Sequence, residues 1–209
     1  MKERPILFSG PMVRAILDGR KTQTRRMVKW PASYKDHEIA DAVRALNRSS
    51  TKSIGRPGPC DGIRDRFRCP YGVVGDRIWC RETWCYVGPG SGSEMPFDVE
   101  EQAKPENQKA SNCWYRADGE QVIRWTPSIH MPRWASRITL EIVSIRVERL
   151  QEITEEDARC EGVEPMHLDD LGQTWKTFKR GFQSIWDSIY GNWDANPRVW
   201  VVEFRRVQP

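Results

Sequence analysis

The sequence lacks any apolar run approaching the roughly 20 residues of a membrane-spanning helix. With 38% hydrophobic and 30% charged residues, it reads as a soluble chain with no membrane partner. Histidine is scarce, and none of the three present stands at a standard metal-ligand offset. The six cysteines, Cys60, Cys69, Cys80, Cys85, Cys113 and Cys160, include no close CxxC pair, which argues against the zinc alternative. The start, Met1 to Pro5, leads into only a short apolar stretch before Ser9-Gly10-Pro11, without the hydrophobic region of a secretory signal. The expectation is therefore a cytoplasmic protein whose cysteines are reduced thiols rather than a disulfide framework. No metal or other cofactor is expected.

Neither sign of charge dominates, since 33 basic residues stand against 29 acidic ones for a net +4. Distribution carries more information than that sum. Positive residues gather at Arg20, Lys21, Arg25, Arg26 and Lys29, at Arg64, Arg66 and Arg68, and at Arg133, Arg137, Arg146 and Arg149. Each cluster reads either as a solvated face or as a phosphate-binding surface.

A chain of 209 residues fits one decorated domain, taken as 1–209. Ile6-Leu7-Phe8 reads as a short strand, and Met12, Val13, Ile16 and Leu17 have helical spacing. Ser9 or Gly10 would cap that helix, Pro11 suits its first turn, and Gly19 stands where a left-handed cap would end it. The basic octet Gly19 to Arg26 thus begins as a helix stops. Residues 30–68 and 88–112 read as insertions, the first holding a short amphipathic helix around Asp36 to Leu46. A strand is expected over Ile78–Trp84, and a hairpin over Cys113–Arg116 and Val122–Trp125 around Asp118-Gly119. A longer strand spans Ile138–Leu150. Thr154 opens a helix with acidic residues in its first turn, closed by Gly162. A second helix covers Phe178–Tyr190 and a last strand Val199–Phe204. Short strands interrupted by helices indicate an α+β protein with a mixed or antiparallel sheet closed as a small barrel.

Within the octet, Lys21 and Thr24 converge only if the segment turns. A threonine hydroxyl needs a base to become a nucleophile, and a lysine serves as that base when desolvation and neighbouring cations lower its pKa. Glu161, at the end of the Thr154 helix, is a candidate carboxylate to orient the lysine or manage protons on a leaving amine. The bland alternatives are a basic loop without catalysis and a solvated glutamate. Ten tryptophans must be mostly core. Phe8, Trp84 and Trp134 are the candidates for stacking on a nucleobase.

The octet Gly19-Arg20-Lys21-Thr22-Gln23-Thr24-Arg25-Arg26 resembles the Gly-x-Lys-x-x-x-Arg signature of the ASCH domain family, relatives of the PUA fold. Gly75-Asp76-Arg77-Ile78-Trp79 looks like its Gly-Asp turn and strand, Ile153 to Ala158 like its helix start, and Val199 to Phe204 like its closing strand. The chain is similar to phage and prophage members, which would place it in a bacterial host. The resemblance implies a PUA-like (ASCH) β-barrel with flanking helices and the two loop insertions, and partners that are a nucleoside or RNA. One bacterial branch hydrolyses N4-acetylcytidine to cytidine and acetate. By motif position its lysine and threonine correspond to Lys21 and Thr24, and counting from the shared Thr-Glu of the helix start places its glutamate at Glu161. Apart from the resemblance, attack on an acyl carbon needs an oxyanion donor, for which Arg26 or a backbone N–H of the octet is the candidate. The competing expectations are a non-catalytic module binding RNA or single-stranded nucleic acid, and a virion assembly factor acting through protein contacts. The insertions, and a threonine where many members carry an acidic residue, are departures from the common pattern.

Overall fold

The computed structural model describes residues 1–30, 36–49, 69–88, 102, 104–119, 124–165 and 177–207. In chain order their elements are β1 (Glu3–Leu7), α1 (Gly10–Leu17), β2 (Gln23–Met27), α2 (Asp36–Ser49), β3 (Arg77–Arg81), β4 (Trp84–Tyr86), β5 (Cys113–Tyr115), β6 (Thr139–Arg149), α3 (Glu155–Cys160), α4 (Phe178–Tyr190) and β7 (Arg198–Val207). The fold is mixed α+β: a five-stranded sheet ordered β1-β3-β6-β7-β2, with only β1 and β3 parallel, and a two-stranded ribbon β4-β5.

The long strands show why the sheet carries two cores. In β7, Trp200, Val202 and Phe204 join Ile6, Phe8, Ile78 and Leu140 on one face. Val199 and Val201 point the other way, onto Ala158 of α3 and Phe182 and Trp186 of α4. A strand buried on both faces needs an unbroken apolar run, and Val199–Val202 supplies it. Strand β6 solves a harder problem. Leu140 and Ile142 are buried, a bulge lies between Ile142 and Ser144, and Ile145 and Val147 are buried after it. The extra residue, Val143, reverses the alternation, so that Arg146 and Glu148 share the face covered by α3.

Two sequence expectations need correction. The sheet is open among the described residues: β1 and β2 are its edges, with no ladder between them. Arg26 of β2 spans the gap instead, donating from Nη2 to the Leu7 carbonyl at 2.6 Å. The second concerns the hairpin. Strand β5 pairs with β4, and Asp118-Gly119 ends a 3-10 turn, Gly119 taking φ +87°. Residues 122–123 of the expected partner strand lie outside the described residues, as do Cys60, Arg64, Arg66, Arg68 and most of both insertions. Gly119 takes the left-handed conformation that a hairpin turn also uses, but that local preference does not choose the strand partner, which is a non-local choice.

Within the first insertion, α2 lays Ala42 and Val43 on the sheet. Its Asn47 completes the exposed edge of β6: Nδ2 donates to the Val147 carbonyl at 3.0 Å, and Oδ1 accepts from the Val147 N–H at 2.8 Å. Among the described residues no helix is long and apolar enough to cross a membrane.

Candidate active site

Two helix ends build the site. After α1, Gly19 adopts φ +75°, and the N–H groups of Arg20 and Lys21 both donate to the Ala15 carbonyl. That turn directs the chain into β2 with Lys21 facing α3. Helix α3 starts from a capping box, Thr154 with Asp157, and ends at Glu161, followed by Gly162 at φ +74°. The Thr22 N–H donates to the Cys160 carbonyl at 2.9 Å, and Lys21 and Glu161 form an isolated antiparallel bridge. Backbone contacts therefore bring together residues 140 positions apart.

Side-chain geometry follows from that bridge. Lys21 Nζ donates to Glu161 Oε2 and to the Glu161 carbonyl, each at 2.8 Å. Arg25 Nη1 takes the other carboxylate oxygen, Oε1, at 3.2 Å. Lys21 is 2% exposed and Glu161 4%, so this is a buried ion pair with a second cation attached. Burial pushes the Lys21 ammonium below the usual lysine range; Glu161 opposes the shift, while Arg26 and Arg25 add to it.

Strand alternation sorts the rest. Gln23 and Arg25 lie on the α3 face, where Gln23 donates to the Asp157 carbonyl at 2.7 Å. Arg25 also reaches Glu148 at 3.2 Å and Asp157 at 3.4 Å. Arg146 extends the network to Glu148, Asp157 and Glu203. Thr24 and Arg26 occupy the opposite face of β2, Thr24 across from Val202. Thr24 is buried, at 3% exposure. Phe8 lies on that side too, its ring centroid 5.7 Å from Lys21 Nζ and 5.5 Å from the Arg26 guanidinium. Arg26 Nε is buried and has no hydrogen-bond partner among the described residues. No hydrogen bond joins Lys21 to Thr24, since both bonds of Nζ go to Glu161.

Lys21, Glu161, Phe8 and Arg26 are thus gathered, with Thr24 on the Phe8 face. Trp84 and Trp134 belong to a different cluster. They meet edge to face at 5.5 Å beneath the β4-β5 ribbon, and Tyr86 packs on Trp134 at 6.2 Å. Sequence reading missed Arg25 as a site residue. The signal was available, because the arginine that closes the Gly-x-Lys-x-x-x-Arg spacing is Arg25, and alternation separates it from Thr24.

The other arginines are largely engaged. Arg137 grips Glu82 and Asp118 with paired bonds of 2.7–3.1 Å, and its guanidinium sits 3.9 Å from the Tyr115 ring centroid. Arg20 binds Asp18 and Glu164, and Arg133 binds Glu3. Among the described residues no group of three or more His, Cys, Asp or Glu could hold a metal ion. An open depression of about 450 Å³, lined by Gln151, Glu155, Lys179 and Trp193 among others, includes none of Lys21, Thr24 and Glu161.

The class defined by fold and site is an α+β protein with a buried Lys–Glu–Arg cluster between two helix ends. No family model, curated protein or solved structure matches the chain.

Proposed function

We propose that the chain is an ASCH-type, PUA-like protein that hydrolyses the amide of acylated cytosine nucleosides, N4-acetylcytidine being the reference substrate. The observation that carries this reading is the 2.8 Å contact of Lys21 Nζ with Glu161 in a buried site beside the strand of Thr24. Burial lowers the proton affinity of Lys21, the direction that favours the neutral amine a general base requires. In the neutral form, Nζ takes the Thr24 hydroxyl proton as Oγ1 bonds to the acyl carbon. The unpartnered Arg26 Nε is a donor for the oxyanion that forms. The C–N bond then breaks and Lys21 passes its proton to the departing exocyclic amine, with Glu161 orienting Nζ. Water cleaves the Thr24 ester, releasing the carboxylic acid and restoring the hydroxyl.

The test is incubation with N4-acetylcytidine and chromatography of cytidine. Turnover lost in Lys21→Ala and in Thr24→Ala is the expected result; no turnover, or turnover unaffected by both changes, overturns the reading. A second reading, a non-catalytic module for RNA or single-stranded nucleic acid, is favoured by the lack of a Lys21–Thr24 hydrogen bond. It calls for oligonucleotide binding that weakens steeply with salt and survives Thr24→Ala.

A further inference from the structure

Arg25 has the placement of a working residue but no route to a substrate. Its guanidinium is fully buried, on the face of β2 turned away from Phe8 and Arg26, and three carboxylates surround it: Glu161, Glu148 and Asp157. Arginine is suited to this role, because its planar fork stays charged and can hold several acceptors at once. We infer that Arg25 is a positioning residue that acts through Glu161: by holding Oε1 from behind the strand, it leaves Oε2 and the main-chain carbonyl to Lys21 and divides the carboxylate's charge between two cations. The inference rests on the reading of Lys21 as the base of a hydrolytic site, and it adds what governs that base.

The physical consequence is a balance. Glu161 favours the charged form of Lys21, whereas burial and the nearby guanidiniums of Arg26 and Arg25 disfavour it. Without Arg25, the Glu161 charge falls to Lys21 alone, and a proton on Nζ is held more tightly. The groups facing Lys21 enter the same balance. From α3 comes Glu161, from β2 come Arg25 and Arg26, from the end of β1 the Phe8 ring, and from β3 the Cys80 thiol, which feels the Lys21 charge. Beyond them, Glu148 and Asp157 connect Arg25 to Arg146 and Glu203. An arginine whose charge was balanced by Glu148 and Asp157 alone would leave the Lys21 titration where it is.

The experiment follows Lys21 Nζ by side-chain nitrogen NMR on the full chain across about pH 6 to about 11, the signal being assigned by its loss in Lys21→Met. In Arg25→Gln the basic step of the Lys21–Glu161 pair is expected to move up by about one unit, tenfold in proton affinity. In Arg25→Lys, which keeps the cation but loses the fork, it moves the same way by less. An unmoved step in the folded variants overturns the inference; should Arg25→Gln fail to fold, Arg25→Lys alone decides. Turnover of N4-acetylcytidine is measured in parallel. If the unaltered protein shows none, the hydrolase reading fails, while the titration still decides whether Arg25 governs the pair.

Discussion

Gly162 packs so closely on Lys21 that a Cβ at that glycine would stand 2.7 Å from the Cβ of Lys21, and equally close to that of Ala15. The position also has φ +74°, so conformation and space both demand glycine. Gly19 offers a control, with φ +75° and open space around its missing side chain. Gly19→Ala is expected to cost about 1 kcal/mol of stability, the left-handed penalty alone. Gly162→Ala should cost about 2 kcal/mol more, since packed neighbours must move. Urea unfolding of both variants measures the difference; equal costs would mean that the contact with Lys21 yields easily.

Glu161 neutralises two buried cations, whereas Lys21 satisfies one carboxylate that Arg25 also holds. Removing the carboxylate is therefore the more damaging change. Glu161→Gln is expected to cost about 3–5 kcal/mol, as when one partner of a buried pair is lost. Lys21→Met should cost distinctly less, because Glu161 keeps Arg25. Denaturant midpoints test the order, and a larger loss in Lys21→Met would contradict the charge distribution described above.

Alkaline stability has a calculable sign. Burial raises the Cys69 thiol to about 11 and the Cys113 thiol to about 12, against an ordinary value of 9.0. A group raised on folding contributes stability that is fully present below the unfolded pKa and lost as pH climbs through the folded one. The loss from these thiols thus begins near pH 9. Lys21 acts in the opposite direction: its lowered pKa adds stability as pH rises toward 10.5, the ordinary lysine value. In Cys113→Ala the fall in Tm between about pH 8 and about pH 10.5 should be shallower than in the unaltered protein. An identical slope would show that the Cys113 thiol titrates alike in both states.

Asn47 supplies both partners of the Val147 peptide groups at an edge of β6 that β3 does not reach. Asn47→Ala leaves them without those bonds and should cost about 1–3 kcal/mol. Hydrogen exchange of the Val147 amide is the direct measurement, and it should speed up markedly. Unchanged protection would mean that other parts of the chain shield that edge.

Helices were the most legible elements. Periodicity and caps located α1, α3 and α4 to within a residue or two, because those signals act over one or two turns of chain. Strands were less legible: the basic octet read as a turn carries β2, the single strand expected over Ile78–Trp84 is divided into β3 and β4, and strand partners were not legible. Nothing local in Cys113–Tyr115 says that it pairs with Trp84–Tyr86 rather than with a following strand. The bulge at Val143 did leave a trace, since the apolar pattern Ile138, Leu140, Ile142 passes to Val143, Ile145 and Val147 while Ser144, Arg146 and Glu148 take the alternate positions. Alternation alone does not say which partner strand the extra residue bulges against. Trp84 and Trp134 were recognised as aromatic and strand-associated, yet it is their edge-to-face contact that places them together under the ribbon.

The sequence by itself determined where helices stop, that a lysine and a threonine follow one such stop, and that a glutamate ends another. Those features depend on glycine conformation, capping and strand alternation, all of them short-range. Only the tertiary structure decided that the two stops lie back to back and that Lys21 bonds Glu161. It alone decided that Arg25, next to Thr24 in sequence, works from the opposite face of the strand. The reason is physical: burial and ion pairing arise between segments 140 residues apart, and their energies depend on desolvation that no isolated segment experiences.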